Sequence, residues 1–159
     1  MKNKTQNFLI LNDIRSVENV GAMFRTADAA GVDKIYTVGY TPAPIDRFGR
    51  KRNDLHKAAL GAEEYVPWEA VSSVVTLINK LKKEGFQIIA IEQAPNSMNY
   101  KKVKMGAKNV FIMGNEVTGV LKKVLDKCDV VAEIPMRGKK ESLNVSVACG
   151  VALFGMLKV

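Results

Sequence analysis

The side chains able to do chemistry in this 159-residue sequence are few in kind and unevenly placed. There is one histidine, His56, and the two cysteines, Cys128 and Cys149, have no paired spacing with it or with each other. Neither a Cys/His metal set nor a Ser-His-Asp triad is therefore on offer, and the expectation is chemistry without a metal. Cations are plentiful instead. Between Pro44 and Lys57 stand Arg47, Arg50, Lys51, Arg52 and Lys57 against Asp46 and Asp54, a local excess of +3 within a chain of net charge +8. Such a stretch suits contact with the phosphates of a polyanion, and the four residues Arg47, Arg50, Lys51 and Arg52 are the candidates for that contact. Phosphate contact also suits a connection as long as 39–53, because long ordered loops in small domains are usually functional.

The elements that must position these groups alternate. Apolar runs at 7–11, Lys34–Val38, 86–91, 109–113 and 130–134 read as strands. Between them lie helical patterns over Val17–Ala30, 54–60, 69–84 and the stretch leading from 114–118 to about residue 126. Ser16 can cap the helix Val17–Ala30 and Gly31 can close it. On it Asn19 and Arg25, six positions apart, point about 120° away from each other and can flank one cleft without touching. A minor strand is expected at 64–67, with Trp68 as a packing residue. Ser142 reads as the N-cap of a last helix, 143–157, which carries no charge. A helix apolar nearly all round must be covered, and fifteen residues are too few to cross a bilayer, which takes roughly 20. No signal-peptide pattern opens the chain, and the reading is one cytoplasmic domain over 1–159 with no membrane contact. Alternation of this kind indicates an α/β fold, a mainly parallel sheet with helices on both faces. In such sheets a ligand crevice lies beyond the carboxyl ends of the strands. The loops 92–96, 114–118 and 135–143 all start there.

Three stretches carry a resemblance: 19–31 (NVGAMFRTADAAG), 110–120 (VFIMGNEVTGV), and 134–144, which holds IPM at its start and SLN at its end. In order and spacing they resemble the three motifs of the SpoU/TrmH family, RNA ribose 2′-O-methyltransferases of the SPOUT superfamily. The resemblance implies a deep C-terminal trefoil knot, S-adenosylmethionine as methyl donor with S-adenosylhomocysteine as product, and a site shared across a homodimer. It makes Arg25 the main catalytic residue, with Asn19, Glu116, Ser142 and Asn144 as orienting or supporting groups. A role for Glu116 as ion-pair partner of an active-site cation stands beside a substrate contact. Gly114, Ile134, Met136, Ser142 and Leu143 become the cofactor-binding residues. Gly114 would let backbone come close to the ligand, Ile134 and Leu143 would wall the adenine, and the first turn of the Ser142 helix would favour a carboxylate. A guanidinium stays protonated at any ordinary pH, so Arg25 is expected to grip phosphate and orient the hydroxyl rather than act as a base. The substrate implied is RNA, tRNA before rRNA. A base-methylating SPOUT enzyme and a catalytically silent RNA-binding module are the rival readings. A dinucleotide-binding enzyme is not supported, since no G-x-G-x-x-G follows the first strand.

Overall fold

The computed structural model describes residues 4–159. Seven strands form one sheet: β1 (Gln6–Asn12), β2 (Lys34–Val38), β3 (Trp68–Val71), β4 (Gln87–Ile91), β5 (Met98–Asn99), β6 (Lys108–Met113) and β7 (Val130–Glu133). Their order across the sheet is β3-β2-β1-β6-β4-β7-β5, and every paired neighbour runs parallel. Five helices flank it: α1 (Val17–Ala30), α2 (Asn53–Ala59), α3 (Val74–Lys83), α4 (Lys122–Leu125) and α5 (Val145–Leu157).

Strand residues alternate between the faces, and each face has its own apolar core. Leu9, Leu11, Ile35, Ile89, Phe111 and Met113 pack against α1, α2 and α5. Phe8, Ile10, Ile88, Val110 and Ile112 pack against α3 and α4. The central strands read as continuous apolar runs because both of their faces are covered. One polar interruption is paired: Asn109 on β6 donates to Asn7 Oδ1 on β1 at 3.0 Å, with both residues buried. A slip of one residue would break this amide pair inside the sheet, so it fixes the register of β1 against β6.

Three expected boundaries move. The last helix opens at Asn144, whose side chain accepts from the Ser146 and Val147 amides, and Ser142 stays in the preceding loop. Asn caps as well as Ser does. The segment expected as the start of a helix at residue 69 is edge strand β3, paired with β2 from Ile35–Trp68 onward, and α3 starts only after its Ser73 cap. The minor strand expected at 64–67 is a 3₁₀ turn, Ala62–Glu64, followed by coil. After β6 the chain makes a compact turn, and the helix that follows is the single turn α4.

Candidate active site

The carboxyl ends of β4, β6 and β7 open onto one cleft. Its lining brings together Gly114, Ile134, Met136, Ser142 and Leu143, all five residues expected to hold the cofactor, and adds Glu92, Gln93 and the whole of 115–119. Ile91, Met113, Ile134, Val145 and Ala148 give it an apolar floor, and Leu143 stands partly exposed at its wall.

Gly114 has a reason in the chain's own packing as well. A Cβ there would collide with the Gly119 carbonyl carbon and the Val120 nitrogen, so its close approach is to the chain itself as 114–120 doubles back. Gly119 sits at φ +66°, where side chains are rarely accommodated. Glu92 closes the turn by accepting from the Val120 amide at 2.9 Å. Asn115, buried, accepts from the Val117 and Thr118 amides and donates to the Asp13 carbonyl and the Tyr40 hydroxyl at 2.9 and 2.8 Å. Gln93 donates to the Glu141 carbonyl at 2.7 Å, joining the loop after β4 to the loop after β7. Periodicity and caps gave no hint of Glu92, Gln93 or Asn115. Their partners lie up to 102 residues away.

Glu116 is the hinge of the arrangement. Its carboxylate accepts from the Arg15 amide at 3.0 Å, the Ser16 amide at 3.0 Å and Asn19 Nδ2 at 3.1 Å. It therefore binds the start of α1, and among the described residues it has no cation partner. Partial burial disfavours its charge, but those three N–H groups outweigh that and hold its carboxyl below the usual range. Asn19 in turn accepts from Asn144 Nδ2 at 3.3 Å. Glu116, Asn19 and Asn144, one from each sequence stretch, are thus a single hydrogen-bonded chain at the rim of the cleft. Asn144 cannot leave the first turn of α5 free for a carboxylate, because it already occupies the Ser146 and Val147 amides.

Arg25 is not brought in. It is exposed on α1, outside the cleft lining and outside this chain of hydrogen bonds. The side of α1 nearest α5 is marked by Thr26, which faces Gly150.

The basic connection is an ordered hairpin rather than a loose loop. Ile45 and Lys51 form an antiparallel bridge, the Asp46 amide donates to the Arg50 carbonyl at 2.8 Å, and Arg52 closes on the Pro44 carbonyl at 2.9 Å. Three of its four candidate cations have carboxylate partners: Arg50 with Asp46, Lys51 with Glu64 and Arg52 with Asp54. Asp46 and Asp54 already stand in the local excess of +3, so of these partners only Glu64 lowers it further. Next to it His56 Nδ1 lies against Glu63, which is buried with one carboxylate oxygen unpartnered, and Glu64 is close by.

Comparison with known proteins matches residues 6–154 to the SpoU rRNA methylase family. The 23S rRNA (guanosine-2′-O-)-methyltransferase RlmB of Pseudomonas aeruginosa is 33% identical over 150 residues, covering 94% of this chain and 58% of that protein. The crystal structure of an AdoMet-bound rRNA methyltransferase from Sinorhizobium meliloti superposes with a TM-score of 0.88 at 28% identity, over 98% of this chain and 57% of that one. The A. aeolicus TrmH/SpoU tRNA modifying enzyme superposes at 0.84 with 28% identity, over 99% of this chain and 76% of that one. The chain thus spans little more than half the length of the rRNA enzymes it matches. Agreement over the full described length makes the fold SPOUT-type, with the C-terminal trefoil knot characteristic of these structures.

Proposed function

The chain belongs to the SpoU rRNA methylase family, and from that we propose that it methylates a ribose 2′-hydroxyl of RNA with S-adenosylmethionine. The observation that carries this is the cleft itself: five expected cofactor residues line it, and Glu116, Asn19 and Asn144 join at its rim. When bound, the cofactor supplies a methyl carbon already made electrophilic by the sulfonium charge. The rest falls to the protein. Ile134 and Leu143 offer apolar walls for an adenine, and the doubled-back 114–119 turn presents backbone groups near it. Ser142 and Met136 complete the rim. Holding the two reacting groups together is the main source of acceleration such a site can provide.

In this reading Arg25 grips the phosphate beside the reacting ribose and orients the hydroxyl. Since it lies outside the cleft of its own chain, it serves the cleft of a second copy, and the working unit is a homodimer. The outward apolar side chains of α5, Val147 and Phe154, 50% and 39% exposed, suit that contact. The reading gives no step to a metal. It takes 1–159 as one methyltransferase domain acting on RNA in the cytoplasm. It places tRNA before rRNA, since a tRNA-modifying relative is spanned over the larger share of its length. None of the described helices is long and apolar enough to cross a membrane.

The test is transfer from methyl-labelled S-adenosylmethionine to separate tRNA and rRNA fractions, with and without chelator, followed by digestion and mass analysis of the nucleosides. A 2′-O-methylnucleoside, formed equally with chelator, is expected. Methyl on a base, or no transfer to either RNA, would overturn the reading.

A further inference from the structure

Resting on the reading of the chain as an RNA-modifying enzyme, we propose that Phe48, at the tip of the 44–52 hairpin, is a stacking platform for an unpaired nucleobase of the RNA. Phe48 is 66% exposed, which is a poor place for a benzene ring in water unless something covers it. The backbone beneath it is tightly specified. Asp46 Oδ1 accepts from the Phe48 and Arg50 amides, each at 2.9 Å, and the Gly49 amide closes on the Asp46 carbonyl at 3.0 Å. Gly49 takes φ +76°, with nothing near the place where a Cβ would stand. The ring is therefore held out by a built turn.

Two guanidiniums flank it. The Arg47 and Arg50 carbons lie 4.9 and 5.0 Å from the ring centroid, and Asp46 Oδ2 anchors the Arg50 Nε at 3.1 Å. An apolar protein partner closing over Phe48 would have to strip water from both cations. A nucleobase does not exact that penalty, because its flat face covers the ring while the phosphates on either side meet the guanidiniums. A base still stacked and paired in a duplex cannot present that face, so the ligand is single-stranded. At the root of the same connection Tyr40, 60% exposed, has its hydroxyl bonded to Asn115 in the cleft turn. The connection that carries the hairpin is thus joined at its root to the cleft turn.

The experiment compares wild type with Phe48→Ala, Phe48→Leu and Phe48→Trp, using a labelled 12-nucleotide oligoadenylate and a 12-base-pair RNA duplex as probes. Oligoadenylate affinity is expected to fall about tenfold in the Ala and Leu variants, within the range a lost base–aromatic stack produces, and to be kept by Trp. Duplex affinity should hold within about twofold, since phosphate contacts carry it. A 2-aminopurine in the single strand should be quenched by wild type and by Phe48→Trp only. Leu binding as well as Phe, or equal losses on both probes, would overturn the platform, as would a wild type with no affinity for oligoadenylate. Methyl transfer by the wild type is measured on the same preparation. Phe48-dependent binding without methylation would keep the platform and remove the enzymatic reading. Methylation alongside normal oligoadenylate binding by Phe48→Ala would do the reverse.

Discussion

Glu116 accepts two backbone amides and one side-chain amide from the start of α1, so its charge holds that turn. Replacing it by Gln leaves one acceptor oxygen where there were two. We expect Glu116→Gln to lower stability near neutral pH by about 1 kcal/mol, the scale of an exposed hydrogen bond to a charged acceptor. Its folded-state pKa lies below the ordinary value. The stabilisation is therefore fully present above the unfolded pKa of roughly 4.3 and is lost as pH falls through the lower folded value. Melting curves from pH 7 to pH 3 check this: the gap between wild type and variant should close on acidification, and a constant gap would contradict the assignment. Arg25 is the opposite case, an exposed side chain with no hydrogen bond or ion pair among the described residues. Arg25→Ala should leave the melting temperature and cofactor affinity near wild type while slowing single-turnover methylation by about 10² or more. Arg25→Lys should stay near the Ala level, because Lys keeps the charge but loses the planar fork that can hold phosphate and hydroxyl together. Wild-type turnover in the Ala variant would remove Arg25 from the reaction.

Among the elements, α1 and β2 were legible at both ends because their stops are local: Ser16 and Gly31 bracket the helix, and Gly39 follows the strand. Edge strand β3 was not. Its own residues extend the helical spacing of Val71, Val74, Val75, Ile78 and Leu81, and only pairing with β2, Ile35 opposite Trp68, turns it. The cap of α5 failed for a related reason. Ser142 and Asn144 are equal candidates locally, and the choice falls to Asn144 because its side chain can also reach Asn19, 125 residues away. That Gly114, Ile134, Met136, Ser142 and Leu143 share one cleft follows from motif and strand-end position, whereas Glu92, Gln93 and Asn115 act between loops and leave no periodic trace. Two predictions belong at this scale. Phe154→Glu places a charge on the outward face of α5 without touching the buried side, so it should convert a dimer to a monomer in sedimentation while keeping the helical signal. A wild type that sediments as a monomer would defeat the dimer reading. In the hairpin, Arg47→Ala with Arg50→Ala should reduce the slope of log affinity for duplex RNA against log salt by up to about 1.8, at about 0.9 per lost phosphate contact. An unchanged slope would return the hairpin cations to their carboxylates.

Across the whole molecule the two thiols lie on opposite sides of the sheet, and both are kept from reacting. Burial pushes Cys149 up to about 12, and Cys128, partly buried with its Sγ donating to the Val124 carbonyl, up to about 11. Since the thiolate is the reactive form, native protein should resist iodoacetamide at pH 8, and both sites should label quickly in denaturant. Fast labelling of either in the folded state would mean that its cover opens readily. The path through Glu116 has a further consequence. The turn 114–119 lines the cleft, and the carboxylate in its middle holds the end of the helix that carries Asn19 and Arg25. Whatever steadies the turn steadies that helix, and the converse holds equally. In the proposed reading, cofactor at the turn and RNA at the helix are therefore expected to share a coupling free energy. The factor by which cofactor tightens RNA must equal the factor by which RNA tightens cofactor. Loading in either order leads to the same ternary complex with the same overall affinity, and cutting the carboxylate should bring both factors toward one together.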